Sequence, residues 1–259
     1  MARVTAIINL KGGVAKTTTA INLAAILAKE HGAKVCIVDG DSQCNTTEFF
    51  DGDPTSGNLA AVLRNADRFD DPGNYAAAFI QPTVYENIYI LPGDETLMDM
   101  DLSKVEQGTV NSNILRYLVE EIKDRYTHIL IDCPPAFNAA SAAALVAADD
   151  VIIPIKLDAF SLRGMGNLMR QIKNMRKINP RLTIAGLLPT MWYPDPQIQE
   201  AEDTLKAAGL NVFHHIRHSK KVDGMTFQQE PLLISSPRSA AGIDYRKFVM
   251  EYMGGIERG

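Results

Sequence analysis

Apolar residues along this chain fall into two recurring patterns. The first is a short run of apolar and β-branched residues, as in Val4-Thr5-Ala6-Ile7-Ile8. Such a run, bounded by polar positions, predicts a strand buried on both faces. Runs of this kind cover 4–10, 34–39, 87–91, 128–132, 151–155, 183–188 and 211–216. The second pattern has the helical period. Ala20, Leu23, Ala24 and Leu27 share one face, and Gly32 stands where a helix over 16–31 would stop. Helical patterns also span 110–125, 139–148, 162–179, 198–208 and 240–253, with a shorter one near 59–65. Strand and helix alternate, and parallel neighbours need crossover connections. The pattern therefore predicts an α/β fold, a mostly parallel twisted sheet with helices on both faces. The stretch 51–101, rich in Asp, Gly and Pro, breaks the alternation. It is expected to be an irregular, insert-like part of one domain spanning 1–259.

Composition narrows the class. The 259 residues are 46% hydrophobic and 22% charged, as in an ordinary globular protein. The 26 Lys and Arg against 31 Asp and Glu leave a charge of −5. That balance argues against a uniformly basic nucleic-acid binder and leaves local basic faces open. Cys36, Cys44 and Cys133 are an odd, sparse set. They point to a reducing, cytoplasmic setting rather than a disulfide framework. Neither a secretory h-region nor an 18-residue apolar span is seen, so no signal and no membrane helix are expected.

The candidate chemistry begins at Lys11-Gly12-Gly13-Val14-Ala15-Lys16-Thr17-Thr18, set between a predicted strand and a predicted helix. Small residues there let backbone N–H groups turn toward phosphate oxygens, and the helix start adds positive partial charge. Lys16 can reach the β- and γ-phosphates, and Thr17 offers a hydroxyl to Mg2+. The loop departs from G-x-x-x-x-G-K-[ST], because Leu10 and Ala15 take its two glycine positions. Two acidic segments follow predicted strands: Asp39-Gly40-Asp41-Ser42-Gln43-Cys44-Asn45, and Asp132-Cys133-Pro134-Pro135. Each suits a nucleotide-and-metal switch; each is also compatible with an ordinary turn.

Taken together, the three segments resemble the deviant Walker A, D-x-D-x-Q and D-x-P-P motifs of the ParA/Soj/MinD family of ATPases. The likeness is nearest to the short ParA/Soj-type partition ATPases. It covers nearly the whole chain except 51–101. It implies a P-loop NTPase domain that binds ATP with Mg2+ and hydrolyses it weakly. By the same resemblance, Lys11 reaches across a nucleotide-dependent homodimer to the partner's nucleotide. Gly12, Gly13, Val14, Ala15 and Lys16 cradle the phosphates, Thr17 holds the metal and Thr18 an α-phosphate oxygen. Asp41 positions or activates the attacking water, Asp39 supports the metal-water shell, and Asp132 contacts Mg2+ or its water. Thr190 and Met191 fall where the family contacts adenine, or simply at a strand end. Ala15 is a departure from the family's glycine. At a position needing positive φ it costs about 1–2 kcal/mol, and slow turnover is expected.

The resemblance further implies non-specific DNA binding by the ATP-bound dimer, with nucleoid association. It implies partition or positioning of plasmid or chromosomal DNA, and hydrolysis stimulated by a ParB-like centromere-binding protein. Arg217, Lys220 and Lys221, with His218 among them, lie where the family carries DNA-contacting residues. A second basic segment holds Lys156, Arg163, Arg170, Lys173, Arg176, Lys177 and Arg181 against Asp158 alone. Of these, Arg170, Lys173 and Lys177 share a helical face, which also suits plain solvation. The motif starts so near the first residue that no helix-turn-helix precedes it in this sequence, and operator binding is not expected. A MinD-like membrane-associated positioning ATPase is the alternative, and it would need a lipid-lying final helix. The residues around 245–253 read instead as a packing helix, with Ile243, Phe248 and Tyr252 turned inward, so no stable membrane association is expected. A nucleotide-binding adaptor without turnover is a third reading, prompted by Ala15.

Overall fold

Among the described residues, seven strands form the centre of the molecule: β1 (Arg3–Ile7), β2 (Val35–Asp39), β3 (Gln81–Pro82), β4 (Ile88–Leu91), β5 (His128–Asp132), β6 (Asp150–Lys156) and β7 (Thr183–Thr190). They belong to a computed structural model that describes residues 2–65, 70–108 and 110–256. The sheet order is β3-β4-β2-β5-β1-β6-β7. Every pairing is parallel except β3 with β4. Side chains alternate between the faces, so each central strand feeds two apolar cores. Cys36 and Val38 of β2 and Ile129 and Ile131 of β5 enter one core. Val35, Ile37 and Leu130 enter the other. The helices Leu59–Asn65, Ile114–Ile122, Ala139–Ala147, Ala159–Met175 and Pro196–Ala207 cover the first face. Lys16–His31, Lys220–Gln228 and Ala240–Ile256 cover the second.

The expected elements are present with shifted ends, and the shifts have local causes. The helix expected at 162–179 starts earlier, at Ala159, because Asp158 accepts a hydrogen bond from the Ser161 N–H (2.8 Å) and caps it. The helix expected at 110–125 is shorter, Ile114–Ile122. The described residues of 51–101 contribute β3, β4 and short helices to the same sheet and core, with Leu59, Val62 and Leu63 buried, and 66–69 lie outside the described residues.

One expected strand is absent. Residues 211–216 run beside β7 but meet the sheet only through isolated bridges, Leu187 with Val212 and Trp192 with Arg217. Phe213 and Ile216 still donate to the Leu187 and Pro189 carbonyls (2.9 and 2.8 Å), but three residues on this segment span two on β7, so the register slips and no continuous ladder forms. The N–H groups of His214 and Arg217, on the side away from β7, donate to Glu251 and Asp244 of the final helix (2.6 and 3.0 Å). The final helix packs by Tyr245, Phe248, Val249 and Tyr252, all buried. Ile243, expected inward, is 40% exposed, one face away from that row. Among the described residues, no helix is long and apolar enough to cross a membrane.

Candidate nucleotide site

The loop after β1 opens at the carboxyl ends of the parallel strands, where α/β sheets place their ligands. Gly13 has φ 69° and Ala15 φ 66°. The left-handed position expected to favour glycine is therefore real, and Ala15 occupies it with the strain of a Cβ. Ala15 immediately precedes the helix Lys16–His31, whose first turn has no side-chain cap and no acidic residue. Its free N–H groups face a cleft of about 500 Å³ lined by Gly12, Gly13, Lys16, Thr17, Thr18 and Asp41. Lys16 is buried, and its ammonium donates to the Lys11 carbonyl (3.2 Å). Burial pulls its pKa below the ordinary lysine value, against the attraction of Asp132 and Asp41.

The strand register brings the acids to this loop, pairing Asp39 with Asp132 across β2 and β5 and Ile7 with Asp132 across β1. Gly40 N–H donates to the Asp132 carbonyl (2.8 Å), and a Cβ on Gly40 would lie 2.9 Å from that oxygen. Only glycine fits so close an approach. Thr17 and Thr46 hydroxyls both donate to Oδ2 of Asp132 (2.7 Å each), while Oδ1 is buried without a partner. Burial raises the Asp132 pKa. A buried carboxylate with one orphaned oxygen, beside a phosphate-loop hydroxyl whose oxygen lone pairs stay available, fits a hard divalent cation. Asp39 is fully buried, and its pKa is raised by burial and then by Asp132. Its Oδ1 accepts from the Asp41 N–H (3.1 Å), and its Oδ2 from the Thr47 N–H and hydroxyl (2.8 and 2.7 Å). Asp39 thus fastens the turn that carries Asp41, which lines the cleft. Sequence reasoning missed Thr46 and Thr47. Their signal was two adjacent hydroxyls directly after the Asp39–Asn45 segment.

The comparisons with known proteins show the family. A model of the AAA domain family matches residues 2–184. The chain is 34% identical to the chromosome partitioning protein ParA of Caulobacter vibrioides, over 96% of this chain and 93% of that one. It is 30% identical to the sporulation initiation inhibitor protein Soj of Bacillus subtilis, over 97% and 98%. The septum site-determining protein MinD of Pyrococcus horikoshii, solved with Mg-ADP, superposes with a TM-score of 0.77 at 24% identity, covering 99% of each chain. The chain belongs to the ParA/Soj/MinD family of ATPases. It is a ParA-type positioning ATPase that hydrolyses ATP and takes ATP and Mg2+ as cofactors.

In this ParA-type ATPase the two loop lysines occupy different environments. Lys16 faces its own cleft, while Lys11 Nζ donates to both oxygens of Asp158 (3.0 Å each) and to the Ser161 hydroxyl (2.9 Å). Burial pushes the Asp158 carboxyl up, but the hydrogen bonds from Ser161 and Lys11 outweigh it and hold it at about 2. Thr190 and Met191, at the end of β7, also line the cleft. Thr190 is buried and donates to the Val14 carbonyl (3.2 Å), tying that end to the phosphate loop. Met191 holds a positive φ of 52°. Ile216, Arg217, His218 and Ser219 form the facing wall. The Arg217 guanidinium is paired with buried Asp244 (2.8 Å at both oxygens), whereas Lys220 and Lys221 are exposed at the start of the next helix. Arg217 therefore stands in the nucleotide wall, and only the two lysines of that trio are free of an ion pair among the described residues.

Proposed function

We propose that this ATPase forms a homodimer around two ATP molecules, binds DNA without sequence preference in that state, and so partitions or positions plasmid or chromosomal DNA. A ParB-like partner would stimulate hydrolysis and release the dimer. The observation that carries this reading is the division of labour between the lysines of one loop. Lys16 already serves the chain's own cleft, and Lys11 is held outside it by a half-exposed pair with Asp158. Exposed ion pairs contribute about 0–1 kcal/mol, so Lys11 is free to leave for a phosphate of a facing subunit.

Placement supports the remaining roles. The uncapped helix start and Lys16 hold the phosphates. Thr17 and Asp132 would hold the magnesium, which when bound neutralises charge between the phosphates. Asp39 keeps the Asp41 turn in place, and Asp41 orients the attacking water. Phosphoryl transfer asks the protein chiefly for positioning and charge neutralisation. The membrane-switch alternative is not favoured, because the apolar face of the final helix is already occupied by the core.

Sizing in solution tests the proposal. With a slowly hydrolysed ATP analogue and magnesium, the parent protein should double in mass, and Lys11→Ala should bind the analogue yet stay single. A parent protein that stays single when saturated with the analogue would refute it.

A further inference from the structure

The helix Ala159–Met175 packs against the sheet by Ser161, Leu168, Ile172 and Met175. On the opposite side stand Arg163, Arg170 and Lys173, and Lys177 continues the row just past the helix end, all exposed. At the α-helical period these four cations fall within an arc of about 80° and run about 20 Å along the axis. Arg163 is steadied by the Ala159 carbonyl (3.2 Å) and the Phe160 ring (5.1 Å). Arg170, Lys173 and Lys177 have no ion pair among the described residues. No acidic residue occurs between Asp158 and Asp195, in a chain whose net charge is −5.

We propose that this row is a track for the phosphate backbone of duplex DNA, and that it carries more of the DNA contact than the segment 217–221. The proposal rests on the DNA-binding reading above and adds the surface. Duplex DNA presents a charge about every 1.7 Å of axis, so a 20 Å row of cations meets several phosphates at once. Gly164, Gly166, Asn167 and Asn174 lie among the cations and are small or polar. They permit close approach. The exposed apolar side chains nearby, Phe160 and Ile178, stand at the two ends of the row rather than together, so they form neither the apolar centre of a protein interface nor a lipid-inserting face. The rival segment is weaker, because Asp244 already neutralises Arg217.

The test compares the parent, Arg170→Ala/Lys173→Ala/Lys177→Ala and Lys220→Ala/Lys221→Ala, each sized with the ATP analogue and magnesium and then titrated onto duplex DNA across a salt series. The triple variant should still dimerise. Its slope of log affinity against log salt should fall by about 2.7, for three phosphate contacts at about 0.9 each, and by more than in the double variant. The swap Arg170→Lys/Lys173→Arg/Lys177→Arg should restore binding. A triple variant with the parent's slope would overturn the track while leaving DNA binding in place. A parent that dimerises but is not retained on DNA would overturn the DNA reading itself. Capture by phosphatidylserine vesicles or polyglutamate in preference to DNA, abolished by the triple variant, would assign the row to another anionic partner.

Discussion

The two ends of the nucleotide cleft are built in opposite ways. At the phosphate end, every functional side chain sits on a strand terminus or on the segment directly after β1 or β2. Parallel register alone brings Asp39, Asp132 and the lysine loop together. At the far end, residues 214–219 are irregular, and distant groups hold them. Asp244 grips Arg217 by backbone and guanidinium, Glu251 takes the His214 N–H, and His215 stacks on Trp192 (3.9 Å). The contrast teaches that a sheet specifies a site through register, whereas a loop wall depends on a few long-range bonds. The first should fail abruptly when one group is lost, and the second by degrees.

Lys16→Ala should give the largest effect: no measurable ATP binding by calorimetry with the fold intact. If binding survives with only a modest loss, the phosphate end is not the all-or-none half. Asp244→Ala should act next. It strips a half-exposed guanidinium and a backbone N–H of their shared acceptor, a loss of about 1–3 kcal/mol, visible in thermal unfolding. At the cleft it should raise KM for ATP several-fold and leave kcat nearly unchanged. A collapse of kcat would place Asp244 in the chemistry rather than the wall. Ala15→Gly removes Cβ strain of about 1–2 kcal/mol, partly offset by about 0.5–1 kcal/mol of backbone entropy. Its stability should barely move while steady-state hydrolysis rises, and an unchanged rate would show that the methyl does not slow turnover. Asp158→Ala should be mildest. Freeing Lys11 from an exposed pair should favour analogue-induced dimerisation by no more than about fivefold, and weaker dimerisation would mean that Asp158 helps to join the subunits.

Much of this was legible because the relevant signals are local. The run 128–132 reads as a buried strand and is one, since β-branched and apolar residues filled both faces. The phosphate loop was readable from its small residues and its place between strand and helix. The expectation that Ala15 needs positive φ came from a departure in an otherwise familiar pattern. The illegible parts involve partners far along the chain. Residues 211–216 had a strand's composition, but their register against β7 slips between Phe213 and Ile216, which no local pattern shows. Arg217 looked like a free surface cation because its partner, Asp244, lies on the final helix. That Asp39 also fastens the 41–47 turn through both of its oxygens could not be read from the local sequence.

Hydrophobic period and loop chemistry by themselves determined the alternating fold and the strand–loop–helix setting of residues 11–18, because these depend on neighbours within one or two turns of chain. Only the folded molecule decided which cations are neutralised and which stand free: Lys11 on Asp158, Arg217 on Asp244, and an unpaired row along Ala159–Met175. Charge pairing acts through space and is indifferent to sequence distance, so it could be settled only once the strands had been set in order.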